Sequence, residues 1–155
     1  MEERIVVGIS DQKIVRNPDI LVSYALGSCV GVCLHDRIVR VAGLAHILLP
    51  ESKPWDMNEY KYADTAVARL AKDMEKLGCM RYRMTAKISG GANMFYTNGR
   101  SVGDKNVEAV KKELARLNIR IVAEDVGGNF GRTLEFDSAS GRLIVRSIQR
   151  GHIEI

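Results

Sequence analysis

"ILVSYALGSCVGVCLHDRIVRVAGLAHILLP", residues 20–50, holds three runs dense in Val, Ile and Leu, and the way they are interrupted decides the fold. The runs cover 20–25, 30–36 and 39–49; Gly27-Ser28 parts the first from the second, and Asp36-Arg37 parts the second from the third. Apolar runs of this length, rich in β-branched residues and bounded by turn residues, read as strands. The second and third runs, joined by a tight turn near 36–38, form an antiparallel pair. The end of the third run then returns beside the start of the second, which makes His46 a neighbour of Cys29.

Outward from this stretch the pattern continues. "RIVVGI" (4–9) predicts a short strand, and "DQKIVRNPD" (11–19) a turn region ending at Asn17-Pro18. Residues 51–60, polar and carrying Pro54, read as an exposed loop. A helix is expected over about 60–77, with Ala63, Ala66, Val67, Leu70, Met74 and Leu77 on one face and Gly78 as its stop. "MTAKISGGA" (84–92) reads as a strand running into a glycine turn. A second helix is expected over about 104–117, with Val107, Val110, Leu114 and Leu117 on one stripe. "IRIVAEDVGG" (119–128) is a further strand, and "RTLEFD" and "RLIVRSI" flank the turn "SASG" as a hairpin. Strands and helices do not alternate regularly, so a doubly wound parallel sheet fits poorly. The expectation is one α+β domain over 1–155, a layered sandwich of mixed β-sheets with two main helices on an outer face.

Composition narrows the function classes. With 155 residues, 46% of them hydrophobic, the chain can bury a core without covalent staples. No apolar run is long enough to cross a membrane. The acidic start "MEERIVVGIS" lacks the apolar stretch of a secretion signal. Three cysteines, an odd number with uneven spacing, argue against a disulfide framework and for a cytoplasmic setting. The net charge of +4 arises from 23 basic and 19 acidic residues interleaved along the chain. With 6% aromatic residues and no nucleic-acid motif, this reads as an ordinary solvated surface.

Cys29 itself admits three readings: buried filler, metal ligand or nucleophile. Free cysteine is often a small buried hydrophobe, which is the reading for Cys33 and Cys79. Cys29, Cys33, His35 and His46 are a soft-ligand set. On an extended strand, however, Cys29 and Cys33 lie about 13 Å apart, too far for one zinc ion or a disulfide unless the chain turns between them. His46 taken alone reads as a hydrogen-bonded core residue, and His35 and His152 as surface residues. The nucleophile reading rests on position: Cys29 follows Gly27-Ser28, where the chain bends and backbone N–H groups can receive an oxyanion.

Six segments in order resemble the CheD family of chemoreceptor glutamine deamidases: "LGSCV" (26–30), "GLAHILLP" (43–50), "KYADTA" (61–66), "KISGGANMF" (87–95), "VGDKNVEAV" (102–110) and "EDVGGNFGR" (124–132). The resemblance spans almost the whole chain and includes the cysteine–histidine spacing. It implies a cysteine hydrolase that converts chemoreceptor glutamines to glutamate, with methyl-ester hydrolysis as a related activity. The family's nucleophile falls on Cys29 and its histidine on His46. Its threonine, which orients the histidine, falls on Ser23, where the hydroxyl is kept and the methyl lost. The N–H groups of Ser28 and Cys29 are then the oxyanion candidates, and a reactive, low-pKa Cys29 is expected. The resemblance further implies a layered fold similar to bacterial deamidating toxins. As partners it implies chemoreceptor cytoplasmic helices and a CheC-type phosphatase, with no cofactor. A non-catalytic adaptor binding the same partners is the alternative. The sequence singles out no substrate-binding residue: the loop 51–60 and Gly90-Gly91 read equally as a groove border or as plain loop and turn.

Overall fold

The computed structural model describes residues 1–95 and 99–155. In chain order the elements are β1 (Arg4–Val6), β2 (Asp11–Arg16), β3 (Ile20–Leu26), β4 (Val30–Asp36), β5 (Val41–Ile47), α1 (Ala63–Glu75), β6 (Met84–Gly90), α2 (Val102–Arg116), β7 (Arg120–Val126), β8 (Arg132–Asp137), β9 (Leu143–Ser147) and β10 (Gly151–Glu154). The strands form two five-stranded sheets, ordered β1-β3-β8-β9-β10 and β2-β5-β4-β6-β7. Both are mixed: β1–β3 and β6–β7 pair in parallel, and the other neighbours pair antiparallel. The α+β arrangement agrees with the reading of the sequence.

The second sheet is sandwiched. On one face Val30, Val32, Leu34, Ala45 and Ile47 pack with Ala66, Val67, Leu70 and Met74 of α1 and Leu114 of α2. On the other, Cys33, Ala42 and Leu44 meet Leu21, Leu134, Phe136 and Val145 of the first sheet. All seven residues of β4 and all seven of β5 are therefore buried. A strand covered on both faces has no solvent side, which is why 30–36 and 41–47 read as continuous rather than alternating apolar runs.

Consecutive strands change sheet at the point that matters for function. β3 lies in the first sheet and β4 in the second, so Gly27-Ser28-Cys29 carries the chain from one layer to the other. Three expectations need correction. Residues 11–16 are not turn but β2, an edge strand paired antiparallel with β5; its exposed polar residues hide it from an apolar-run criterion. His35 is not a surface residue: it is buried, and its Nε2 lies 2.8 Å from the Ser138 carbonyl oxygen, in the turn the β8–β9 hairpin folds over it. α1 begins at Ala63 rather than residue 60, and Leu77 lies beyond its end, exposed.

Candidate active site

Ser23 and His46 come from different sheets and meet in the interior. Ser23 is on β3 and His46 on β5; both are buried, and Ser23 Oγ lies 2.7 Å from His46 Nδ1. Ser23 Oγ also lies 2.7 Å from the carbonyl oxygen of Val7. A carbonyl can only accept, so the single hydroxyl proton goes to Val7. The Ser23 oxygen must then accept from Nδ1–H, which leaves Nε2 as the ring's lone-pair nitrogen. That atom is buried and has no hydrogen-bond partner among the described residues. The segment between β1 and β2 locks the histidine from outside as well, since Ser10 N–H donates to the His46 carbonyl at 2.9 Å.

Cys29 stands diagonally across from this ring. In the β4–β5 pair, Gly31 is directly opposite His46. Cys29, two residues earlier, shares Gly31's face, the one turned to the first sheet, and diagonal positions of an antiparallel pair are within reach of long side chains. Gly31 makes room there for the first sheet: a Cβ would come within 2.4 Å of Leu134 Cδ1 and 3.3 Å of Leu26 Cδ2, so the position holds no side chain.

The nucleophile candidate is held through its backbone. The carbonyls of Gly27 and Cys29 accept from Ala92 N–H (2.9 Å) and Gly91 N–H (2.8 Å). The Ser28 carbonyl accepts from Asn106 Nδ2 at 2.9 Å. Among the described residues, no other residue takes the N–H of Ser28 or Cys29, and the Cys29 N–H faces its own sulfur. Gly90 has φ +117° and would put a Cβ 2.2 Å from the Cys29 carbonyl oxygen, so the β6 turn is glycine because the Cys29 backbone lies against it.

Burial sets the resting protonation. It pushes the His46 pKa down to about 4. It raises the Cys29 thiol, an effect partly offset by the residue's own N–H. Thiol and imidazole thus both rest neutral, where the sequence led to a low-pKa thiolate: burial disfavours the anion of the one and the cation of the other. Cys29 is still the most exposed of the three cysteines, at 7% against 0% for Cys33 and 2% for Cys79. Cys33 lies between the sheets and Cys79 beyond α1, and burial raises both thiols, Cys79 to about 11.

A cleft of about 220 Å³ opens at Ser28, walled by Asn93, Met94, Phe95 and Val102. Phe95 at the cleft is exposed, as are Tyr24, next to Ser23 in the chain, and Ile9, next to Ser10. Neither this cleft nor the larger hollows of about 480 and 600 Å³ is lined by Ser23, Cys29 or His46. The loop 51–60 leaves just past β5 and is tied at its base, where Leu48 and Leu49 N–H donate to the Lys61 carbonyl. It exposes Trp55 and Met57.

Asn106 and the Val7 carbonyl are part of this arrangement and were not singled out by sequence reasoning. A signal for Asn106 exists: it is a polar residue on the buried stripe of α2, with Gly103, Val110 and Leu114. Nothing in the sequence marks Val7, because its contribution is a main-chain oxygen.

Comparisons with known proteins follow the same line. A family model described as CheD chemotactic sensory transduction matches residues 48–147, beginning just after His46. A Bacillus licheniformis protein named chemoreceptor glutamine deamidase CheD is 50% identical over 152 residues, covering 94% of this chain and 90% of that protein. The protein of that name from Thermotoga maritima is 43% identical over 146 residues, covering 94% and 93%. That from Halalkalibacterium halodurans is 45% identical over 162 residues, covering the whole of both chains.

Proposed function

The chain belongs to the CheD family, and from that premise we propose that it is a protein-glutamine deamidase that converts chemoreceptor glutamine side chains to glutamate with Cys29 as nucleophile. One observation carries the mechanism: the Val7–Ser23–His46 chain fixes the imidazole tautomer and leaves Nε2 unpartnered on the face that Cys29 shares.

The order of events follows from the resting protonation. With both groups neutral, Nε2 takes the thiol proton as sulfur attacks the glutamine Cδ, so the ion pair forms during the step rather than before it. The Cδ–S bond forms and the carbonyl π pair moves to oxygen, where the Ser28 and Cys29 N–H groups are the donors. Nε2–H then protonates the amide nitrogen, the C–N bond breaks, and ammonia leaves a thioester. Water attacks the thioester, Nε2 takes its proton, and the sulfur departs and is reprotonated, giving glutamate. Ser23 keeps Nδ1–H engaged throughout and bears no charge.

The exposed apolar side chains near the cleft suit the face of an amphipathic receptor helix. We place the activity in the cytoplasm, where chemoreceptor signalling helices lie; no helix among the described residues is long and apolar enough to cross a membrane. A glutamyl methyl ester presents the same acyl carbon with a better leaving group, and a CheC-type phosphatase is the protein partner the family resemblance suggests.

The test is mass spectrometry of a chemoreceptor cytoplasmic fragment incubated with the protein. Deamidation adds about one mass unit at defined glutamines and releases ammonia; a methylated fragment reports esterase activity through methanol. Binding of the fragment without any mass change would favour the adaptor reading and overturn this one.

A further inference from the structure

We infer that Asn106 is a positioning residue that orients the Cys29 N–H as an oxyanion donor. This rests on the reading of Cys29 as nucleophile.

Asn106 is fully buried on α2 and spends both hydrogens of its amide on main-chain carbonyls, Ser28 O at 2.9 Å and Leu48 O at 2.9 Å. Ser28 precedes the nucleophile, and Leu48 follows His46 by two residues. One NH₂ group therefore bridges the segments that carry thiol and imidazole. Its Oδ1 is buried with no partner among the described residues. An amide that leaves its acceptor unpaired to keep two donors engaged is a poor choice for stability alone.

The consequence for chemistry comes from peptide geometry. In a trans peptide the C=O and N–H of one plane point in opposite directions. The Ser28 carbonyl and the Cys29 N–H share a plane. Asn106 draws that carbonyl toward α2, so the Cys29 N–H faces away from α2. The preceding plane is fixed likewise: Ala92 N–H holds the Gly27 carbonyl, which turns the Ser28 N–H outward. Both oxyanion candidates are thus aimed by what their carbonyls are tied to, and for Cys29 that tie is a single side chain. The docking of α2 is close enough to hold the tie in register, since a Cβ at Gly103 would fall 2.4 Å from the Ala92 carbonyl oxygen and 2.5 Å from that of Gly91.

The experiment compares wild type, Asn106→Asp and Asn106→Ser on a receptor-fragment substrate, beside alkylation of Cys29 by iodoacetamide. Alkylation needs the sulfur and its base but no carbonyl oxyanion. The expected result is a fall in kcat of about ten- to a hundredfold with KM within about threefold and the alkylation rate within about threefold of wild type. Unchanged kcat in either folded variant overturns the inference. So does a parallel loss of alkylation, or failure of both variants to fold, each of which assigns Asn106 to structure alone. A Cys29→Ala control separates the underlying reading: if it deamidates, Cys29 is not the nucleophile, whatever Asn106 does.

Discussion

The Ser23 hydroxyl has one proton, and the Val7 carbonyl takes it. What Ser23 offers His46 is an acceptor without charge, which orients the ring but does not stabilise imidazolium as a carboxylate would. Ser23→Ala should therefore lose about one hydrogen bond, roughly 1–2 kcal/mol, seen as about a five- to thirtyfold fall in single-turnover deamidation. Ser23→Thr keeps the hydroxyl and should stay within a few-fold of wild type if the fully buried site accepts the methyl. On the proposed mechanism His46 serves as both base and acid, so His46→Ala should cost about 10³-fold or more. Equal losses in Ser23→Ala and His46→Ala would show that serine does more than orient. Cys29 gives a second expectation: being the most exposed cysteine, it should be alkylated before Cys33 and Cys79, with loss of activity. Because burial raises its pKa, labelling should quicken steadily as pH rises above 7. A labelling rate already at plateau near pH 6, read by peptide mass mapping, would contradict the neutral resting pair.

At the scale of elements, the turn after β6 and the start of α2 form the wall against which the Cys29 segment is set. Gly90→Ala meets two penalties there: a positive φ and a Cβ driven into the Cys29 carbonyl oxygen. Gly78, at φ +98° with open space around it, meets only the first. Gly78→Ala should cost about 1 kcal/mol in a urea melt and leave deamidation intact. Gly90→Ala should cost about 2 kcal/mol or more and reduce activity at least tenfold, because relief of the clash must move the Cys29 peptide. Equal behaviour of the two variants would mean that this wall does not govern the site. The elements themselves were legible where burial is one-sided or complete: α1, α2, β4 and β5 each carry an apolar pattern set by their layer. β2 was hidden because it is an edge strand of mostly polar residues, and β10 because four largely exposed residues give no pattern. The β4–β5 register that sets Gly31 opposite His46 followed from the hairpin alone. Ser23 entered only through family resemblance, because its partner lies in the other sheet and no local spacing encodes a contact between layers.

For the whole molecule, placing His46 neutral between two sheets links the site to acid stability. Its pKa is about 4 in the folded chain, against about 6.5 for an unperturbed histidine. Above pH 6.5 both states hold the ring neutral, and folding pays nothing for it. Between 6.5 and 4 the unfolded chain binds a proton that the folded chain refuses, so stability falls as pH falls, by about 3 kcal/mol over the window. Below pH 4 the ring protonates in both states and its contribution to the slope ends. There the ion-paired carboxylates take over. Burial raises the pKa of Asp125, but its hydrogen bonds to Arg150 and Arg132 outweigh that and hold the carboxyl below its usual range. Asp36 is held down in the same sense by Arg83 against its own burial. Their stabilisation is present above the unfolded carboxylate pKa and is lost as pH drops through the folded one. His46→Gln removes the first window and leaves the second. Urea melts at half-unit steps from pH 7.5 to 3.5 should show wild type losing about one proton's slope more than His46→Gln between 6.5 and 4, and parallel curves below. The deamidation rate should stay near its neutral-pH value down to about pH 5, since the base is still unprotonated there. Coincident stability curves for the two proteins, or a rate that halves near pH 6.5, would mean that His46 titrates as an ordinary exposed histidine and that the closed, neutral pair does not describe the resting enzyme.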